Sequence, residues 1–179
     1  MTQSFYTIGH STHSIEVFAD MLQAARVSFL IDVRTVPRSR TNPQFNKDGM
    51  AEQLGAYQIG YEHVAALGGL RGKQKLDVSP NGYWQNRSFR NYADYAMTAD
   101  FATGLAHLIA IGEAHRTAIM CAEAVWWRCH RRIIADYLLA RGEAVFHILA
   151  ADSIDEARMT PGARRMDDGL LVYPAEGET

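Results

Sequence analysis

The sequence alternates short, almost entirely apolar segments with longer segments in which apolar residues recur every three or four positions. The short segments are typical of strands buried on both faces of a parallel sheet, and residues 29–33 are the clearest of them. The periodic segments are typical of amphipathic helices. Because strands and helices alternate, we predict an α/β fold, in which helices flank one mostly parallel sheet with right-handed crossovers in a Rossmann-like, three-layer arrangement.

Residues that begin or end helices give the predicted elements their approximate bounds. Ser14 and Thr98 are N-cap residues ahead of periodic segments, Asp48 begins another helix, and Gly142 ends the last one. We also predict a single helical turn near residues 154–158 and an additional edge strand at 170–173, near the C-terminus. The other predicted strands are 5–8, 29–33, 61–64, 117–121 and 144–149, and the predicted helices are 15–25, 48–57, 91–97, 99–109 and 129–141.

Length and composition are those of one ordinary globular domain. The 179 residues can bury one full core, and the fractions of apolar (47%) and charged (21%) residues are average for such proteins. No internal repeat, low-complexity segment or linker divides the chain, so we predict a single domain over residues 1–179. Two long loops, at about 35–47 and 66–90, lack periodicity, and loops of this length are more often functional than not.

Charge and missing sequence signals constrain the location and the partners of the protein. No apolar run is long enough to span a bilayer, and no basic segment followed by an apolar one marks a signal peptide. We therefore expect a cytoplasmic protein without a membrane partner. The net charge of −2 argues against a protein that coats nucleic acid non-specifically. No feature of the sequence indicates an oligomeric state.

Reactive side chains follow three of the predicted strands at their carboxyl ends. His10 and Ser11 follow the first strand. Arg34 follows the second, and Cys121 and Glu123 follow the fourth. In an open parallel sheet, ligands bind outside the carboxyl ends of the strands. We therefore predict that these five side chains contribute to one site.

The start of the helix at residues 129–141 adds further reactive side chains to this predicted site. Cys129 and His130 lie in its first turn, and Arg128 and Arg131 flank them. Positive charge in the first turn of a helix is unfavourable, because the helix dipole favours an anion there. A bound anion would remove this conflict, so the segment predicts an anionic, phosphate- or nucleotide-like substrate.

These residues favour a small enzyme as the leading hypothesis. A cysteine would be the nucleophile and His130 or Glu123 would transfer protons, as in a cysteine-dependent hydrolase or transferase. Cys121 is favoured by its position at a strand end and Cys129 by its environment at a helix start, so both are candidates. Backbone N–H groups near Cys129 would help to bind the substrate, together with His10, Ser11, Arg34, Arg128 and Arg131.

The two cysteines also permit a metal-dependent enzyme as an alternative. In a cytoplasmic protein, two cysteines are more often free thiols, metal ligands or a redox pair than a structural disulfide. Cys121, Cys129, His130 and His10 together could supply metal ligands. The seven-residue gap between the cysteines is unlike that of structural zinc sites, so we assign no metal ligand. The sequence indicates no cofactor.

The remaining alternative is a module that binds or processes nucleic acid. Trp126 and Trp127 could stack on a base, although loop tryptophans more often pack against the protein. His147 lies in the middle of an apolar strand and is predicted to be a hydrogen-bonded core histidine. The binding surface would be formed by basic residues in and beside the two long loops, which are Arg38, Arg40, Arg71, Lys73, Lys75, Arg87 and Arg90.

Short motifs spread over residues 7–149 give an independent indication. They are Thr7-Ile-Gly-His-Ser11, Asp32-Val-Arg34 with Pro37 and Ser39, Phe45, Tyr61 ahead of Leu67-Gly-Gly69, Cys121-x-Glu123, Cys129-His-Arg131 and His147-Ile148. In this order and spacing they resemble the domain of unknown function 488 family of small bacterial and archaeal proteins. The resemblance implies a compact α/β domain but no agreed activity or substrate. It implicates as site residues His10, Arg34, Cys121, Glu123, Cys129, His130 and Arg131.

Overall fold

Strands and helices alternate along most of the chain, as the sequence predicts. A computed structural model describes residues 3–177. Its strands are β1 (Ser4–Gly9), β2 (Phe29–Asp32), β3 (Gly60–His63), β4 (Thr117–Cys121), β5 (Ala144–Ala150), β6 (Ser153–Glu156), β7 (Arg164–Arg165) and β8 (Leu171–Val172). Its α-helices are α1 (Ile15–Ala24), α2 (Lys47–Gly55), α3 (Arg87–Tyr95), α4 (Ala99–Ala114) and α5 (Arg131–Ala140). Short 3-10 turns cover Pro43–Phe45, Ala65–Leu67 and Trp126–Arg128.

Six strands form one sheet in the order β3-β2-β4-β1-β5-β6. The first five pair in parallel with their neighbours, whereas β6 pairs antiparallel with β5. Strand β4 is buried along its whole length, which fits an apolar strand covered on both faces. The predicted α/β fold with a mostly parallel sheet is confirmed.

Two hydrophobic cores lie on opposite faces of this sheet. Leu30 and Ile31 belong to different cores, because successive side chains of a strand point to opposite faces. Helices α1 and α2 cover one face, and α3, α4 and α5 cover the other. The predicted three-layer arrangement is therefore confirmed. The helix residues with the least exposed side chains include Phe18, Leu22, Met50 and Leu54 on the first face and Tyr92, Leu108, Ile134 and Leu138 on the second.

Most helix boundaries agree with the sequence signals. Ser14 and Thr98 are N-cap residues, and each accepts a hydrogen bond from a backbone N–H of the first turn. Helix α3 begins at Arg87, four residues earlier than predicted, because the side chain of Asn86 accepts two backbone N–H groups there. Helix α5 begins at Arg131, two residues later than predicted.

The region after β5 differs from the prediction in part. The helical turn predicted at residues 154–158 is wrong, because residues 153–156 form β6 at the edge of the sheet. The C-terminal strand predicted at 170–173 is present as β8, which pairs with β7 in a separate two-stranded sheet. This small sheet is attached to α5, since the backbone N–H of Leu171 donates to the hydroxyl of Tyr137 at 3.1 Å.

Side chains from helix α3 hold the loop after β3 beside the carboxyl edge of the main sheet. Tyr92 donates a hydrogen bond to the carbonyl of Leu67 at 2.8 Å, and Tyr95 donates to the carbonyl of Ala66 at 2.7 Å. The loop after β3 is thereby fixed next to α3. Within residues 3–177, no helix combines the length and the apolar character needed to cross a bilayer.

Candidate functional site

A cavity of about 400 Å³ opens at the carboxyl edge of the sheet, where β2 and β4 end. Its lining comes from the segment after β2, from the loop at residues 69–70, from the start of α3 and from the segment between β4 and α5. Six of the nine predicted site residues line it, namely Arg34, Cys121, Glu123, Arg128, Cys129 and His130.

The other three predicted residues lie outside the cavity lining. The backbone N–H of His10 donates to the carbonyl of Cys121 at 2.9 Å, and that of Ser11 donates to the carbonyl of Ala122 at 3.0 Å. These bonds continue the pairing of β1 with β4, so both residues fix the start of the segment that follows Cys121. Arg131 packs against the sulfur of Cys121. Within residues 3–177, no three His, Cys, Asp or Glu side chains form a cluster that could hold a metal ion.

Arg34 is held in the cavity wall by Asp32, which neutralises its charge. The carboxylate of Asp32 accepts from Nε of Arg34 at 2.9 Å and from Nη2 at 2.7 Å, and both side chains are buried. Nη2 also donates to the carbonyl of Phe45 at 2.6 Å, and Nη1 lies 3.4 Å from Nε2 of His10. Burial lowers the pKa of His10, so this ring is mostly neutral at pH 7.

Arg131 is completely buried next to the two cysteines. Its Nη1 donates to Sγ of Cys121 at 2.6 Å and to the carbonyl of Glu123 at 2.7 Å. Nη2 donates to the carbonyl of Ala124 at 3.3 Å, and Nε donates to the hydroxyl of Thr7 at 3.3 Å. All of these acceptors are uncharged, so the side chain is hydrogen-bonded without being neutralised.

The charge of Arg131 has no carboxylate partner in contact. Arg131 belongs to neither of the salt bridges formed within residues 3–177, which are Arg34–Asp32 and His107–Glu62. Burial lowers the pKa of Arg131 to about 10, against a smaller upward effect of the carboxylate of Glu123. The guanidinium is still charged at neutral pH. A buried cation without a neighbouring anion is unfavourable, and such groups are more common at functional sites than elsewhere.

The two cysteines meet at the cavity wall. Their sulfur atoms are in direct contact and form a disulfide, and both residues are buried. The segment after Cys121 passes very close to the end of β1. This approach requires Gly9, because a Cβ at that position would overlap the carbonyl of Glu123. A redox pair stays a prediction, because a closed disulfide is common to redox pairs and to structural disulfides. A nucleophilic thiol at either position requires that the disulfide first be reduced.

His130 is the N-cap residue of α5 and lies beside Cys129. Its Nε2 is 2.8 Å from the carbonyl oxygen of Val33, and because a carbonyl only accepts, Nε2 carries the proton. The lone pair of Nδ1 then faces Sγ of Cys129 at 3.5 Å. Burial lowers the pKa of His130 to about 4, so the ring is neutral at physiological pH and Nδ1 is free to accept a hydrogen bond. Gly69 provides space for the ring, since a Cβ there would overlap it.

The backbone N–H groups at the start of α5 already have acceptors. The N–H of Arg131 faces Sγ of Cys129 at 3.5 Å, and the N–H of Arg132 donates to the carbonyl of Cys129 at 3.0 Å. The N–H of Ile133 donates to the carbonyl of His130 at 2.9 Å. We predicted that backbone groups here would help to bind an anion, but these amides are engaged within the chain.

Two exposed arginines supply positive charge to the cavity lining. Arg38 and Arg128 line the cavity, and neither side chain donates a hydrogen bond to any of residues 3–177. The carboxylate of Glu123 faces the same cavity. Positive charge therefore exceeds negative charge around the opening, even when Arg34 is counted as neutralised.

Apolar residues complete the lining, although no periodic pattern in the sequence predicts this role for them. Val36 and Leu70 are strongly exposed for apolar side chains, and Phe89 is partly buried at the start of α3. All three come from the long loops or their ends, where apolar residues follow no period. The Leu67-Gly-Gly69 motif could have indicated this part of the cavity, because paired glycines mark a place where the backbone closely approaches another side chain.

Several residues proposed to contact nucleic acid take part in internal packing instead. Arg71 donates to two backbone carbonyls of its own loop and lies 3.9 Å from the ring centre of Tyr95. Arg90 also donates to backbone carbonyls. Trp126 stacks almost parallel on His147, with ring centres 4.4 Å apart. His147 is buried and hydrogen-bonded to Thr7 at 2.6 Å, which confirms it as a core histidine.

Comparisons with known proteins agree with the motifs. Neither the curated proteins nor the solved structures show a significant match to the chain. The family model described as "Domain of unknown function DUF488" matches residues 14–138, which is more than half of the chain and includes every residue of the cavity lining. On this match, the chain belongs to the DUF488 family.

Proposed function

We propose that the protein is a cysteine-dependent enzyme that acts on an anionic small molecule, with reduced Cys121 as its nucleophile. The supporting observation is the 2.6 Å contact between Sγ of Cys121 and the guanidinium of Arg131, a buried cation without a carboxylate partner. When the disulfide is reduced, a thiolate at Cys121 supplies the missing anion. The guanidinium in turn stabilises that thiolate, which is the nucleophilic form of cysteine.

Coulombic attraction to the guanidinium of Arg131 favours the thiolate form of Cys121. Two opposite charges about 4 Å apart attract by roughly 4 kcal/mol at an effective dielectric constant of about 20. Since roughly 1.4 kcal/mol changes an equilibrium tenfold, this attraction outweighs a moderate cost of desolvating a buried sulfur. Cys129 has no comparable partner, because its sulfur faces the neutral ring of His130 and a backbone N–H. Cys121 is therefore the nucleophile that the geometry favours.

The cavity lining indicates what kind of substrate would reach Cys121. A volume of about 400 Å³ suits a small molecule. Arg38 and Arg128 would bind its anionic group, while Val36, Leu70 and Phe89 would contact an apolar part. The thiolate would attack an electrophilic centre and displace a leaving group, giving a covalent intermediate that water or an acceptor then releases. Glu123 is placed in the lining to transfer the accompanying proton.

Alkylation of single-cysteine variants tests the nucleophile. Cys129→Ser leaves Cys121 as a free thiol, and Cys121→Ser leaves Cys129, so the two variants are matched controls. We expect iodoacetamide at pH 6.5 to modify Cys121 at least tenfold faster than Cys129, because only Cys121 is paired with a cation. Equal rates, or rates no higher than that of free cysteine, would contradict the proposal.

Two further comparisons separate the roles of the arginines. In the Cys129→Ser background, Arg131→Met should remove the rapid alkylation at pH 6.5, and Arg131→Lys should retain part of it because it keeps the charge. Arg128→Gln should leave the rate with neutral iodoacetamide unchanged but lower the rate with anionic iodoacetate. If Arg128→Gln affects both reagents equally, Arg128 does not select anions. Circular dichroism and urea midpoints check that each variant is folded.

A further inference from the structure

The geometry points to a second activity of the same cysteines, in which Cys121 reduces a hydroperoxide and Cys129 resolves the oxidised sulfur as a disulfide. The observation that carries it is the direct contact between the two sulfur atoms at the cavity wall. This inference rests on the proposed function, because both activities need the Cys121 thiolate. The cavity gives a hydroperoxide access to that sulfur, since Cys121 is part of its lining.

The two sulfurs have different neighbours, as the peroxide-attacking and the resolving cysteine of such a pair require. Sγ of Cys121 contacts the guanidinium of Arg131, which favours the thiolate that attacks the peroxide. Sγ of Cys129 lies 3.5 Å from Nδ1 of His130, whose other nitrogen is fixed by the carbonyl of Val33. Nδ1 is therefore a proton acceptor beside the second thiol. One sulfur is activated by charge and the other by a neighbouring base.

The chemistry balances in two steps. The thiolate of Cys121 attacks the terminal oxygen of a hydroperoxide, the O–O bond breaks, and Cys121 becomes a sulfenic acid. The expelled alkoxide or hydroxide takes a proton from solvent and leaves as an alcohol or water. The thiol of Cys129 then attacks the sulfenic sulfur. Nδ1 of His130 accepts a hydrogen bond from the thiol, whose proton passes to the departing hydroxide as this leaves as water, so a disulfide remains. A small or protein dithiol restores the reduced pair by thiol–disulfide exchange.

The disulfide has a consequence for the proposed enzyme. Sγ of Cys121 cannot attack a substrate while it is bonded to Cys129, so a hydroperoxide switches the first activity off and a dithiol switches it on again. Cys121 and Cys129 both line the cavity, through which a reductant reaches the bond.

Mass spectrometry of the reduced protein tests this inference. Reduced wild type, freed of reductant, is treated with one equivalent of hydrogen peroxide and digested with trypsin. Trypsin cleaves after Arg128, so Cys121 and Cys129 fall on different peptides that the disulfide joins. We expect wild type to yield the joined peptides. Cys129→Ser should instead give a Cys121 sulfenic acid that dimedone traps, and Cys121→Ser should consume peroxide at least tenfold more slowly.

His130→Gln distinguishes a proton acceptor from a structural residue. It should leave the oxidation of Cys121 unchanged and slow disulfide closure at pH 6.5, and closure should recover at pH 9, where Cys129 loses its proton without a base. A purely structural role would give slow closure at both pH values. Either that result, or over-oxidation of Cys121 without joined peptides in wild type, overturns the inference.

The alkylation assay separates this inference from the proposed function. Rapid alkylation of Cys121 without formation of joined peptides overturns the peroxide inference and leaves the proposed function standing. Slow alkylation of Cys121 refutes the proposed function and the peroxide inference together.

Discussion

Two largely buried histidines should lower the stability of the folded protein in mildly acidic solution. Burial lowers the pKa of His130 to about 4 and that of His147 to about 3, and the nearby positive charges of Arg131 and Arg132 also oppose protonation of His147. Both rings are therefore neutral in the folded state at pH 5. In the unfolded chain they titrate near pH 6.5.

The surroundings of His147 explain why its neutral form is favoured. Nδ1 of His147 is hydrogen-bonded to the hydroxyl of Thr7 at 2.6 Å, and that hydroxyl also accepts from Nε of Arg131. Protonation of His147 would place a second positive charge near Arg131, beside the stacked ring of Trp126.

The size of the effect follows from the two pKa values. As the pH falls from 7 to 5, each unfolded histidine takes up a proton that the folded state excludes, so the unfolded state binds more protons and stability decreases. For a histidine whose pKa is about 6.5 in the unfolded state and 4 or below in the folded state, the free energy of unfolding falls by about 2 kcal/mol between pH 7 and pH 5. His130 and His147 together give about 4 kcal/mol, a large part of the roughly 5–15 kcal/mol typical of a folded domain.

Urea denaturation at pH 7, 6 and 5, with the disulfide intact, measures this loss. His147→Gln should remove about half of the decrease in the free energy of unfolding between pH 7 and pH 5, even though it lowers this free energy at pH 7. His115→Gln, at an exposed histidine, is the matched control and should keep the full decrease. The reasoning is refuted if wild type and His147→Gln lose the same free energy between pH 7 and pH 5.

Two substitutions near the cavity test individual contacts. Asp32→Asn removes the carboxylate that neutralises Arg34, and because breaking a buried ion pair leaves an unpaired charge, the free energy of unfolding should fall by about 3–5 kcal/mol in urea denaturation. A fall below about 1 kcal/mol would show that the pair is not needed for stability. Gly69→Ala places a methyl group where the ring of His130 lies, so disulfide closure after peroxide treatment should slow several-fold. Gly55→Ala, where the added methyl meets no atom, is its control, and equal closure rates in both variants would contradict the predicted role of the ring.

The sheet and the position of the cavity were predictable because burial leaves a local pattern in the sequence. Strands β2 and β4 are covered on both faces, so nearly every residue in them is apolar, and both were recognised. Because β2 and β4 pair in parallel, their carboxyl ends lie at the same edge of the sheet. Arg34 and Cys121 were therefore expected near each other, and both line the cavity.

Contacts between distant parts of the chain could not be predicted in the same way. The bond between His130 and Val33 joins residues 97 positions apart, and it depends on how α5 packs against the end of β2. Strand β6 was not predicted because its four residues contain a single apolar side chain, Ile154, and one apolar residue cannot distinguish a strand from a helical turn. The burial of Arg131 was also unexpected, since its charge predicted contact with a ligand and not with the sulfur of Cys121.

A comparison of the two buried arginines supports the reduced protein as the state in which the proposed nucleophile would act. Arg34 and Arg131 lie at the same edge of the sheet, but the carboxylate of Asp32 neutralises only Arg34. With the disulfide closed, Arg131 meets uncharged acceptors alone, and a buried charge in that situation is costly. Reduction that leaves Cys121 as a thiolate removes this cost, because the new anion lies against the guanidinium. The reduced protein is thus the state in which both buried cations are neutralised, and it is the state in which we expect the nucleophile to act.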